Sequence, residues 1–229
     1  MRNTVPARLL LAIAATALGV LPVGATQTGR ANLSEATGRV TPAAEAVDAL
    51  TLAYRLADHA RSMRDSRAMI VAARMIASIP VASGVASGEA TPQPGSDPSA
   101  QDLFAEAAQF AAGDAALLAE VETARAEQSK GVLCGPRCPI RTIHFVPAGT
   151  SWRVSFSARG GESFVVGVRR DAATGMDLKV YDENANLICH DLSQNPTLYC
   201  RVTPIWTGPV SVVVTNHGAR GAGVAMVTN

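Results

Sequence analysis

The chain has 229 residues, of which 48% are hydrophobic and only 4% aromatic, so each large aromatic side chain is informative by its position. It carries 20 Lys and Arg against 19 Asp and Glu, far from the basic excess of nucleic-acid-binding proteins. This balance excludes a nucleic acid as the partner.

The first 25 residues have the pattern of a secretory signal peptide. Arg2 and Arg8 form a positive start, residues 9–20 are apolar, and small residues precede Ala25 at a predicted cleavage site. An uncleaved anchor is the alternative. Without residues 1–25 the chain carries 18 basic and 19 acidic residues, and we expect a periplasmic or secreted protein with no membrane span in the mature chain.

Helical signals follow a small, polar stretch at 26–40, which we expect to be flexible. Thr41-Pro42 with an acid at Glu45 predicts a helix start, because a capping threonine, a proline in the first turn and an early acid all suit a helix N-terminus. Asp65 or Ser66 can cap a second helix over 67–79, which Pro80 ends.

A change in composition separates this pair of helices from a second pair. Residues 80–100 are rich in Gly, Ser, Pro and Ala and predict a linker. Helical spacing returns over 101–112 and 115–129, split at Gly113-Asp114. The helical region 41–130 is therefore interpreted as two αα-hairpins that form a weak internal repeat. The alternatives are a plain four-helix bundle or helical arms packed on the neighbouring domain.

From residue 140 onward the pattern changes to short strands. The clearest stretch is 176–191, MDLKVYDENANLICHD, which predicts a strand, a tight turn and a second strand. Eight apolar runs at roughly ten-residue intervals predict an antiparallel sandwich over 131–229. The expected fold is therefore α+β in two parts, with N-terminal αα-hairpins followed by a C-terminal β-sandwich.

Three segments of this second part, GESFVVGV, MDLKVYDENANLI and WTGPVSVVVTNHGARGAGVAMVTN, resemble the bacterial pre-peptidase C-terminal domain over about residues 140–229. The resemblance implies a jelly-roll-like sandwich that acts as a non-catalytic appendage in matrix, carbohydrate or protein binding. The sequence departs from that family at Ala185, where a glycine is usual, and at Pro209-Val210-Ser211, where an aromatic residue is common.

Four cysteines predict disulfides in an exported protein. Proximity in the chain favours the pairs Cys134–Cys138 and Cys189–Cys200. A zinc site built from these cysteines with His144 or His190 is the alternative, although the spacings are not those of a standard finger.

The turn of the 176–191 hairpin also resembles the start of a calcium loop. Asp182, Asn184 and Asn186 match its first ligands, but Leu187 replaces the required glycine and Ser193 replaces the bidentate glutamate. We therefore interpret it as a hairpin turn, with calcium held by Asp177, Asp182 or Asp191 left as a hypothesis, and expect neither a metal nor another cofactor.

No catalytic motif accompanies the scattered histidines, so we expect a binding protein rather than an enzyme. Strand alternation places Lys179, Tyr181, Tyr199 and Arg201 outward on neighbouring strands. Aromatic and cationic groups on one open face suit a sugar or an anionic polymer, and ordinary cross-strand pairing is the alternative. The expected partner is an exported protein or a polysaccharide, with the helical region as a spacer or docking unit. A scaffold or inhibitor-like protein that works through its helical region is the alternative function.

Overall fold

The computed structural model describes residues 29–84, 97–127, 138–170 and 175–229, so the predicted signal peptide lies outside the described residues. The N-terminal part contains four helices. They are α1 (Pro42–Met63), α2 (Ser66–Ser78), α3 (Ala100–Phe110) and α4 (Ala115–Ala126). None of these described helices is long and apolar enough to cross a membrane.

The ends of the helices follow the local signals in the sequence. Thr41 caps α1 by accepting a hydrogen bond from the Ala44 amide, and Asp65 and Asp114 cap α2 and α4 in the same way. Gly113, with φ of 91°, makes the turn before α4. The predicted helix boundaries are confirmed to within three residues.

The helical part has a core of its own. Met69, Leu103, Phe104 and Val121 are fully buried among alanines of the four helices. The α1–α2 hairpin packs against the α3–α4 pair mainly through α2 and α3. Arg61 on α1 reinforces this packing with hydrogen bonds of 2.6 and 2.8 Å to the Glu106 carboxylate on α3.

The rest of the described chain is dominated by strands. They are β1 (Ala82–Ser83), β2 (Ile140–Val146), β3 (Ser151–Ala158), β4 (Phe164–Arg170), β5 (Met176–Tyr181), β6 (Leu187–Asp191), β7 (Thr197–Val202), β8 (Gly208–Asn216) and β9 (Ala222–Thr228). β1 lies in the predicted linker and pairs in parallel with β2. The sequence does not predict this short parallel strand, because two residues are too few to show an alternation of apolar and polar side chains.

Strands β2–β9 form a jelly roll. One sheet has the order β1-β2-β9-β4-β7, called here the five-stranded sheet, and the other has the order β3-β8-β5-β6, called the four-stranded sheet. Successive strands alternate between the sheets except at the β5–β6 hairpin, as in two Greek keys. The predicted α+β fold with a jelly-roll-like sandwich is confirmed.

The sandwich core lies between the two sheets. Its fully buried side chains include Val166, Leu178, Leu198, Val212 and Met226.

The disulfide between Cys189 on β6 and Cys200 on β7 crosses from one sheet to the other, with a Cα–Cα distance of 6.0 Å. A closed loop of this length stabilises the fold by about 3 kcal/mol in the chain-entropy model.

Helix α1 packs on the outer surface of the five-stranded sheet. Val47, Leu50 and Tyr54 of α1 are buried there against Val165 on β4 and Val227 on β9. Gly167 on β4 allows the close approach, because a Cβ atom at this position would lie 2.5 Å from the hydroxyl oxygen of Thr51. The helical region is therefore attached to the sandwich along a packed interface.

The segment at 29–40, which the sequence predicts to be flexible, lies against the sandwich. Asn32 is fully buried, and its backbone amide donates to Asp182 at 2.8 Å. Its side chain donates to the carbonyl of Trp206 and accepts from the Trp206 amide. These bonds join the β5–β6 turn to the β7–β8 loop, and the flexibility of 26–40 stays a prediction.

Candidate functional site

The four-stranded sheet presents its outward side chains on one surface, called here the outer face. Burial alternates along β5, where Leu178 and Val180 point into the core and the residues between them point out. Pairing across the sheet then fixes which outward residues are neighbours. The outer face comprises Arg153, Ser155, Asp177, Lys179, Tyr181, His190, Ser211, Val213 and Thr215.

An aromatic and a cationic side chain meet on this face. The guanidinium carbon of Arg153 lies 5.6 Å from the centroid of the Tyr181 ring, across the strand that separates them. A cation at this distance is attracted by the ring face. Val213, which lies between Arg153 and Lys179 in the sheet, is only 7% exposed although it points outward. The longer side chains around it therefore form a continuous surface rather than isolated projections.

A second group on the outer face is centred on Asp177. Its carboxylate lies 2.8 Å from Nε2 of His217 and 3.7 Å from Nζ of Lys179. Arg153 and Lys179 outnumber this single carboxylate, so these three residues have a net charge of +1. His190 lies opposite Lys179 in the sheet and is exposed.

The four residues predicted as a binding group do not form one surface. Lys179 and Tyr181 lie on β5 in the four-stranded sheet, whereas Tyr199 and Arg201 lie on β7 in the five-stranded sheet. The two pairs point outward, as the alternation predicts, but from opposite sides of the sandwich. The prediction that they share neighbouring strands is therefore corrected.

Tyr199 and Arg201 bond to helix α1. The Tyr199 hydroxyl donates to Oδ1 of Asp48 at 2.6 Å, and Nη1 of Arg201 donates to Oδ2 of the same carboxylate at 3.1 Å. Burial, helped by Asp48, raises the pKa of Tyr199 to about 12. These two side chains therefore attach the helical region to the sheet.

No pattern in the sequence distinguishes Arg153 or Asp48 as a site residue. Arg153 stands in an alternating strand as one of several polar residues, and only the order β3-β8-β5 brings it to Tyr181. Asp48 lies on the face of α1 that contacts β7. A single carboxylate within a helical stretch carries no signal of a sheet contact, since a charge on a helix is usually solvated.

The remaining predicted residues are cysteines and turn carboxylates. Cys189–Cys200 is confirmed, Cys138 is disulfide-bonded, and Cys134 lies outside the described residues. Asp182 accepts hydrogen bonds from the amides of Asn184 and Asn186, as expected of a hairpin turn. Across the described ranges, no three or more His, Cys, Asp or Glu side chains come together as metal ligands would.

Comparisons with known proteins found similarity among solved structures alone: no protein-family model matches the chain, and no curated protein does either. One similar structure is the pre-peptidase C-terminal domain of a collagenase from Bacillus anthracis, with 12% identity and a TM-score of 0.26 over 43% of this chain and 84% of that one. Another is PliG from Aeromonas hydrophila, a periplasmic inhibitor of g-type lysozyme. It has 10% identity and a TM-score of 0.30 over 40% of this chain and 86% of that one. Both similarities are of low identity and cover less than half of this chain.

Proposed function

We propose that this protein is exported and acts as a non-enzymatic binding protein, and that its outer face binds an acidic polysaccharide. The observation that carries the proposal is the asymmetry of the sandwich. Helix α1 covers part of the five-stranded sheet, with Val47, Leu50 and Tyr54 buried against it. The outer face of the four-stranded sheet carries Tyr181 and Arg153 on an accessible surface.

The chemistry of the outer face suits a sugar chain with negative charges. The Tyr181 ring offers an apolar surface for a sugar ring, and Arg153 beside it can donate hydrogen bonds to a carboxylate. Lys179 adds a second cation within the same sheet. The hydroxyls of Ser155 and Ser211, which pair directly across β3 and β8, can donate to and accept from sugar hydroxyls.

Export is supported by the signal-like N-terminus and by the disulfide between Cys189 and Cys200, since such bonds persist in oxidising compartments.

The test is affinity electrophoresis of the mature chain in gels that contain polygalacturonate. Retardation should be weakened on the order of tenfold by Tyr181→Ala and by Arg153→Ala, because each removes a ring contact or a charged donor. Tyr199→Phe is the matched control and should keep full retardation, since Tyr199 lies on the opposite sheet. Dextran is the neutral control polymer. Unchanged retardation of Tyr181→Ala and Arg153→Ala would overturn the proposal.

A second candidate is a protein-docking role of the helical region. A groove of about 460 Å³ lies between α2 and α4, with Ile70, Val71 and Ala119 among the apolar residues that line it. Val71 is 49% exposed, and Arg67 and Glu120 form an ion pair beside it. An apolar groove of this kind suits the side chains of a peptide. Val71→Glu would weaken such docking and leave polygalacturonate retardation unchanged.

A further inference from the structure

A cavity of about 520 Å³ lies where the start of α1 meets the turn between β3 and β4. It is separate from the predicted binding residues. Its apolar surface includes Pro42, Ala43 and Ala158, and its polar rim includes Arg39 and Arg159. This volume is within the range of small-molecule sites in proteins.

The two arginines at the rim are held by the backbone around them. Arg39 donates its amide to the carbonyl of Gly161 at 2.8 Å and accepts from the Ser163 amide at 2.9 Å. The Glu162 amide donates to the Arg159 carbonyl at 3.2 Å, which closes the β3–β4 turn. The backbone positions of Arg39 and Arg159 are therefore fixed near one turn. Ligand binding would not carry the entropic cost of ordering this backbone.

The charges at the rim are unequal. Arg39 forms an ion pair with Glu162, and Arg159 lies 4.0 Å from the same carboxylate. Each guanidinium carries several N–H donors, so one carboxylate cannot satisfy both. The side chains of Arg39 and Arg159 are 71% and 76% exposed, which leaves their remaining donors accessible. The N-terminal end of α1, where Pro42 and Ala43 line the cavity, adds positive potential.

The hydroxyl groups of the lining narrow the class of ligand. Thr41 and Ser157 line the same cavity as the arginines and carry hydroxyls. Ser163 also lines it, but this residue is 1% exposed and its hydroxyl accepts a hydrogen bond from Arg201. Guanidinium groups favour a carboxylate, which they bind through paired hydrogen bonds, and hydroxyls suit a polyhydroxylated body. A sugar acid combines both features in a molecule small enough for this space.

We infer that this cavity binds a small sugar acid, with Arg159 and Arg39 holding its carboxylate and the lining hydroxyls bonding its ring. The site is independent of the outer face. Glu162 opposes the ligand, because its carboxylate competes for the same guanidinium donors. Replacing Arg159 should therefore lower the affinity for the ligand, whereas replacing Glu162 should raise it.

The experiment is isothermal titration calorimetry of the mature chain with D-glucuronate, with D-glucose as the neutral probe. The chain should bind glucuronate in preference to glucose. Arg159→Ala should weaken glucuronate binding at least about tenfold, because a charge-assisted contact is lost. Glu162→Gln should strengthen it severalfold. Arg220→Ala, at an exposed arginine that belongs neither to the cavity nor to the outer face, is the matched control and should leave the affinity unchanged.

Arg159→Ala is the decisive variant, because its exposed side chain can be removed without emptying the core. Absent glucuronate binding, or binding that Arg159→Ala leaves unchanged, would overturn the inference. Binding lost in Arg153→Ala but kept in Arg159→Ala would move glucuronate to the outer face and would also overturn it. If Arg159→Ala abolishes glucuronate binding but polygalacturonate does not retard the wild type, the cavity site is supported and the proposed function is contradicted.

Discussion

Arg169 on β4 and Asp58 on α1 form a bidentate ion pair, in which Nη1 and Nη2 of the guanidinium donate to the two carboxylate oxygens at 2.8 Å each. The Arg169 side chain is 5% exposed and also donates to Oγ1 of Thr197 at 2.9 Å. Its guanidinium carbon lies 5.3 Å from the centroid of the Tyr54 ring. The helical part and the sandwich are thus joined by a buried charge as well as by apolar packing.

Replacing Asp58 should therefore be costly. Asp58→Ala leaves the Arg169 guanidinium buried without its counter-charge, and we expect the free energy of unfolding to fall by about 3 kcal/mol. Urea denaturation followed by circular dichroism measures the change. Glu122→Ala is the control, because Glu122 pairs with Arg125 at the surface and its loss should change stability by less than about 0.5 kcal/mol. Equal effects of the two substitutions would contradict a buried role for the Arg169–Asp58 pair.

Local features of the structure could be predicted from the sequence. Thr41, Asp65 and Asp114 can be recognised as helix caps, because a cap depends on the residue itself and on the few that follow it. The eight sandwich strands can be recognised for a similar reason, since alternation along one strand reports which side chains point inward. The pair Cys189–Cys200 follows from proximity in the chain.

The arrangement of the strands in two sheets could not be predicted in the same way. Alternation shows that Tyr181 and Tyr199 both point away from the core, but it does not say which sheet each strand joins. In a jelly roll, β5 and β7 belong to opposite sheets, so the two rings point in opposite directions. The position of α1 was left open between alternatives, because the stripe containing Val47 and Leu50 suits packing against a helix as well as against a sheet.

The departure at Ala185 has a physical consequence. Ala185 has a φ of 61°, in the left-handed region where a Cβ atom is unfavourable. Ala185→Gly should raise the free energy of unfolding by about 0.5 kcal/mol, because relief of the Cβ strain exceeds the added freedom of the unfolded chain. The same substitution at the exposed helical residue Ala119 should instead lower it by about 1 kcal/mol. Urea denaturation of both variants measures the direction of each change in the free energy of unfolding. A loss of stability in Ala185→Gly would contradict the predicted strain.

The hairpin turn should also make stability depend on pH. Burial raises the pKa of the Asp182 carboxyl, but hydrogen bonds from the Asn186 side chain and from the amides of Asn32, Asn186 and Asn184 outweigh burial and hold the pKa below its usual value of 3.8. A carboxyl whose pKa is lower in the folded state stabilises the fold above its unfolded pKa. That contribution should be lost as the pH falls from the unfolded pKa through the lower folded one.

The measurement is the urea midpoint of the wild type and of Asp182→Asn between about pH 6 and about pH 2. At the upper end, Asp182→Asn should be less stable, because an amide cannot accept all the hydrogen bonds that the carboxylate accepts. The difference between the two proteins should shrink toward the acid end, where the wild-type carboxyl is protonated and loses the same advantage. A difference that stays constant over this range would show that ionisation of Asp182 does not stabilise the turn. The bonds to Asn32 and Asn186 would then contribute equally whether or not the carboxyl is ionised.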